Sequence, residues 1–179
     1  MDCKEFRDKH PDKEDCLSNG TTAEEKGKKF RIVMPKGHRE QFLKIAIDKG
    51  LLKEIDLQTK KCDFGFIRCY SEEFYFVELK GNSGLKGAFQ QIKTTVEHFR
   101  KTYSIPKEKI SAFIVSAGVP KSANQQFAKM KQEFKKNYGV ALDKQTRQYD
   151  LHIQPCTEKV KVASSPSRPK AKRKKQKNK

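Results

Sequence analysis

The apolar positions change period partway along the chain. Phe64 to Tyr70 and Phe74 to Leu79 are runs of β-branched and aromatic residues flanking the polar Ser71-Glu72-Glu73 turn, a pattern that predicts a β-hairpin. Alternation places Phe74, Phe76, Glu78 and Lys80 on one face of the second strand, and Tyr75, Val77 and Leu79 on the other. Both faces are apolar, so the strand is expected to be covered on both sides. After Gly84 the period lengthens: Leu85, Ala88, Phe89, Ile92, Val96, Phe99 and Tyr103 recur at helical spacing and predict an amphipathic helix over 85–103. The apolar run from Ile110 to Ala117 predicts a buried strand, parallel to its neighbour through a right-handed crossover. A second helix is expected from Ser122 to Tyr138, with Phe127, Met130 and Phe134 inside, Lys129, Lys131, Lys135 and Lys136 outside, and Gly139 as its stop.

The flanking regions are less regular. Residues 1–27 are polar and of mixed charge, with Pro11, Gly20 and Gly27, and read as a mobile arm. Phe30 to Met34 reads as a short strand, Arg39 to Leu52 as a helix carrying Phe42, Leu43, Ala46, Ile47 and Leu51, and Ile55 to Leu57 as a strand. Tyr149 to Ile153 reads as an edge strand. The expected fold class is α/β: one domain over 28–156, a central mixed β-sheet flanked by helices on both faces, and a basic disordered tail over 157–179.

Charge narrows the partners. Forty Lys and Arg stand against 22 Asp and Glu, a net +18, which favours a polyanion: nucleic acid first, an acidic membrane surface second. Eight of the basic residues and no acidic one lie between Arg168 and Lys179, but the body is basic in its own right. The five cysteines, Cys3, Cys16, Cys62, Cys69 and Cys156, form no Cys-x-x-Cys and no Cys/His spacing, so reduced thiols are expected and zinc is not. No window is apolar enough for a secretion signal or membrane span, which predicts a cytoplasmic, nucleoid-associated or nuclear protein that is not secreted. A nucleotide-binding Gly-rich fingerprint is also missing.

Candidate chemistry lies at the hairpin. A carboxylate at the end of a buried strand is costly unless a cation or a proton meets it. Lys80 could meet Glu78 as a structural ion pair. Asp63, at the start of the partner strand, would add a second carboxylate that one lysine does not neutralise, and two converging carboxylates suit a magnesium ion. Asp63, fourteen residues, then Glu78-Leu79-Lys80 resembles the signature of the PD-(D/E)xK, or restriction-endonuclease-like, nuclease superfamily, with Cys62 in place of the proline. The resemblance implies a restriction-endonuclease-like core in which Asp63, Glu78 and the Leu79 carbonyl bind Mg²⁺, with Mn²⁺ as a possible substitute, and Lys80 orients the attacking water. Gln91-Ile92 resembles a Gln-apolar pair that the superfamily places beside the site, although Thr95 stands where an aromatic is expected. For Gln91 the other reading is a solvated helix residue. Glu40 matches a glutamate that many members carry on the preceding helix, or is a solvated side chain. Glu24-x-Lys26 and Glu133-x-Lys135 also match Glu-x-Lys but lack the strand context.

The function expected is a Mg²⁺-dependent nuclease acting on DNA rather than RNA, structure-directed or weakly sequence-specific, in repair, recombination or defence, and possibly a homodimer. A non-catalytic nucleic-acid-binding protein with the same fold is the alternative. A basic RNA-packaging protein would rest on the tail alone.

Overall fold

The computed structural model describes residues 1–54, 60–80, 84–118 and 122–156. The expected strand at Ile55 to Leu57, the Gly81-Asn82-Ser83 turn and the basic tail lie outside the described residues. The hairpin forms as its period-2 pattern dictates: β-strands that we number in chain order include β5 (Phe64–Arg68) and β6 (Glu73–Lys80), paired antiparallel. Helices α2 (Leu85–Tyr103) and α3 (Ser122–Tyr138) follow, separated by β7 (Ile110–Ser116). Gly84 precedes α2 with φ +98°, a left-handed conformation that glycine adopts without Cβ strain.

A six-stranded mixed sheet is built around the hairpin. Its order is β1 (Leu17–Asn19), β4 (Phe42–Ala46), β5, β6, β7, β8 (Ala141–Thr146). The first four strands pair antiparallel, and β6, β7 and β8 run parallel through the α2 and α3 crossovers. A second sheet contains β2 (Thr22–Glu25), β3 (Lys28–Val33) and β9 (Gln148–His152), in that order, with β3 and β9 parallel. The chain is therefore α/β, but the helices do not cover both faces of the main sheet. Phe74 and Phe76 pack with Ala88, Ile92, Val96, Phe99 and Phe134 on the helical side. Tyr75, Val77 and Leu79 pack with Phe30, Ile32, Phe113 and Tyr149 against the small sheet. Each apolar face of β6 thus has a cover, one helical and one stranded.

Three upstream expectations are corrected. The helix expected over 39–52 is strand β4 followed by a single wide turn, Ile47–Leu51. Leu43, Ile45 and Ile47 are fully buried and alternate toward the helical core, a period-2 signal hidden within positions that also fit a helix. Residues 1–27 are folded rather than a mobile arm. Helix α1 (Cys3–Asp8) is capped by Asp2, whose side chain accepts from the Glu5 N–H at 2.8 Å, and Phe6 is completely buried against Phe99 and Tyr103. Finally, Cys3 and Cys69 form a disulfide across 66 residues, whereas Cys16, Cys62 and Cys156 are free. The amino terminus also pairs with Glu72 at 3.0 Å, fixing α1 to the hairpin turn. No described helix is long and apolar enough to cross a membrane.

Candidate active site

Asp63 stands one residue before β5, and the Phe64–Val77 register brings it beside Glu78 on the neighbouring strand. The Leu79 N–H donates to Asp63 Oδ2 at 2.7 Å. Residues 61–63 precede the ladder, so their backbone groups need other partners. Gln91 Nε2 donates to the Lys61 carbonyl, the Cys62 N–H donates to Thr95 Oγ1, and the Ile47 N–H donates to the Asp63 carbonyl, each at 2.9 Å. The Thr95 hydroxyl in turn donates to the Gln91 carbonyl one helical turn earlier. Helix α2 therefore holds the peptide that carries Asp63.

The same helix holds Lys80. Its Nζ donates to Gln91 Oε1 at 2.8 Å and lies 3.7 Å from Glu78 Oε1. Gln91 is 8 % exposed and bonded through both ends of its amide, which settles its two readings in favour of a buried partner of Lys80 over a solvated helix residue.

Burial outweighs the nearby lysines in the electrostatics of the two carboxylates. Glu78 is 2 % exposed, and its Oε2 has no hydrogen-bond partner among the described residues. Burial first, and then repulsion from Asp63, push its pKa up to about 8, although Lys80 and the Asp63 N–H pull the other way. Burial also raises Asp63, partly offset by the Leu79 N–H and reinforced by Glu25 and Asp48. Two oxygen donors made reluctant to ionise, one with an orphaned buried oxygen, fit a hard divalent cation such as Mg²⁺ or Mn²⁺. Among the described residues no group of three or more His, Cys, Asp and Glu side chains is arranged to hold a metal, so the fit rests on Asp63 and Glu78.

Other residues near the site were not legible in the sequence. A cleft of 320 Å³ beside Asp63 is lined by Glu24, Glu25, Asp48 and Lys49, with Glu25 and Lys49 paired at 2.7 Å. Asp48 arrives there because the turn after β4 is anchored on the Asp63 carbonyl through Ile47. Glu24 and Glu25 arrive on β2, so the segment around Glu24 has the strand character that its composition did not suggest. Ser116, at the end of β7, is 6 % exposed, and its hydroxyl lacks a partner among the described residues.

Glu40 does not belong to this site. It sits at the far end of the hairpin, where its carboxylate accepts from Arg68 at 2.5 and 2.7 Å and from the Cys156 N–H at 3.1 Å. Arg68 also reaches Glu73 at 3.0 Å and the Gln154 carbonyl at 2.6 Å. Glu40 is not a solvated side chain. It neutralises a buried arginine, which holds its own pKa below the ordinary carboxylate range.

Comparison of the chain with protein-family models, with curated proteins and with solved structures finds no significant match.

Proposed function

We propose that this chain is a Mg²⁺-dependent nuclease with a restriction-endonuclease-like core, cutting DNA in a structure-directed or weakly sequence-specific way. The observation that carries the reading is the closure of the Asp63–Leu79 hydrogen bond, which sets Asp63 beside Glu78 while Gln91 holds Lys80 at the same strand end. The order of three antiparallel strands, a crossover helix and a parallel strand, with Asp63 just before the second strand and Glu78 on the third, supports that reading.

Asp63, Glu78 and the Leu79 carbonyl would hold the cation. Bound there, it would neutralise charge on the scissile phosphate and activate water. The chain's own part is placement. Gln91 fixes the Lys80 ammonium at the mouth of the site, where it can orient water and attract the phosphate. Burial, and then the Asp63 carboxylate, push Glu78 up to about 8, a shift that a bound cation would reverse. Exposed lysines, with the net +18, grip the DNA backbone without reading sequence.

Single Ala substitutions of Asp63, Glu78 and Lys80 should each abolish cleavage in Mg²⁺ and leave DNA affinity largely intact. Paired substitutions should add nothing, since groups acting as a unit lose nearly everything at the first removal. Glu133→Ala, on the exposed face of α3, is the control. Wild-type protein that binds DNA but leaves linear, circular, single-stranded and branched DNA uncut across Mg²⁺ and Mn²⁺ titrations would replace this reading with a binding module.

A further inference from the structure

Two buried side-chain atoms lack hydrogen-bond partners among the described residues, Glu78 Oε2 and Ser116 Oγ. They come from adjacent parallel strands, and the register aligns Glu78 with Ile114 and Lys80 with Ser116. Ile110, Ala112 and Ile114 share the helical core with Phe74 and Phe76. By alternation Ser116 therefore stands on the same face as Glu78 and Lys80. It is the polar end of an otherwise apolar row.

A hydroxyl here needs an explanation. A buried polar group without a partner is unfavourable, and alanine would continue the row at no such cost. Strand spacing puts Ser116 about 5 Å from Lys80, and the diagonal puts it about 7–8 Å from Glu78. That interval suits a phosphate whose oxygens face a cation on one side and a hydroxyl donor on the other. The carboxyl ends of parallel strands are also where open α/β sheets bind ligands. We propose that Ser116 is a further substrate-contacting residue, donating its O–H to a non-bridging oxygen of the phosphodiester from the β7 side of the centre. The inference rests on the nuclease reading for its role in cleavage, but not for its contact with phosphate.

The full chain would be compared as wild type, Ser116→Ala and Ser116→Thr. Inorganic phosphate should raise the melting temperature of the wild type and the Thr variant more than that of the Ala variant. Without phosphate, the Ala variant should melt no lower than the wild type, because it discards an unpaired polar group. In Mg²⁺, Ser116→Ala should lower kcat on DNA about 100–1000-fold, as for loss of one donor to developing charge, with Ser116→Thr largely restoring it. A phosphate response and a kcat both unaffected by Ser116→Ala would overturn the proposal and leave the hydroxyl to a buried water only. If the wild type cuts no DNA, the nuclease reading fails and the phosphate response alone decides. A response that depends on Ser116 keeps the phosphate contact, and one that does not removes it.

Discussion

Leu79 and Asp63, sixteen residues apart, are joined by a 2.7 Å hydrogen bond from the backbone N–H of one to the carboxylate of the other. That bond occupies Asp63 Oδ2 and turns the carboxyl group toward Glu78, while the cleft on its other side brings Asp48 and Glu25 near. Negative charge accumulates here because the backbone places it, and burial keeps it from being screened.

The first consequence is a pH dependence of stability. The Glu78 carboxyl is raised from an ordinary 4.5 to about 8, so the folded metal-free protein holds a proton that the unfolded chain releases above pH 4.5. The associated stability is fully present below that value and is lost as pH rises through 8, by on the order of a few kcal/mol. Glu25 and Glu40 are shifted downward, so they act in a separate window, at and below about pH 4.5. Urea midpoints in EDTA should fall between pH 5 and pH 8 for the wild type and stay nearly level for Glu78→Gln. Adding Mg²⁺ at pH 8 should restore the wild type and leave the Gln variant unchanged.

The helix contacts behind the site give a second prediction. Thr95→Val keeps the shape of the side chain but leaves the buried Cys62 N–H without an acceptor, at a cost of about 1–3 kcal/mol. Thr95→Ser should recover most of it. Gln91→Leu frees Lys80 and should lower kcat by up to about 100-fold, with DNA affinity nearly unchanged. Single-turnover kinetics beside a binding isotherm separate the two effects.

Glu40→Ala should behave in the opposite way. It removes one of the two carboxylates that pair with Arg68, whose side chain is only 8 % exposed, and leaves Glu73 at 3.0 Å, so the variant should lose about 1–3 kcal/mol of stability. Specific activity per folded molecule, measured well below its melting temperature, should match the wild type. An inactive but fully folded Glu40→Ala protein would return this residue to the site.

Reduction of the Cys3–Cys69 bond, or Cys3→Ser, should destabilise the fold by about 2–4 kcal/mol, since the link closes a long loop. Limited proteolysis should then cut first around α1. Phe6→Ala should give a similar pattern with the disulfide intact, because Phe6 is the buried anchor of that helix.

The hairpin, α2, β7 and α3 were legible because their periods are unmixed. Asp63, Glu78 and Lys80 were legible because pairing one strand against the next fixes who sits beside whom. Gln91 entered the sequence reading by resemblance, and only its two hydrogen bonds show that it holds Lys80. The remainder depended on tertiary information. Phe42, Leu43, Ala46, Ile47 and Leu51 satisfy a helix as well as a strand until β5 supplies a ladder for β4. A lone Phe6 in a polar segment gives no sign of the cavity it fills. Cys3 and Cys69 carry no spacing motif, and the approach of Asp48 and Glu25 to Asp63 depends on turns whose residues do not encode it individually.

The parallel pairing of β3 with β9 has a bearing on how the chain is made. Arg31 meets Asp150 at 2.8 Å although the two are 119 positions apart, and every rung between these strands spans the same separation. During synthesis, β3 can pack Phe30 on Phe66 and Phe113 but must wait for its parallel neighbour until almost all of the folded region has been translated. Such late closure is slow, and an unpaired apolar strand in the interval invites wrong partners. Slowing synthesis, or adding chaperones, should therefore raise the fraction of this protein that reaches its folded form.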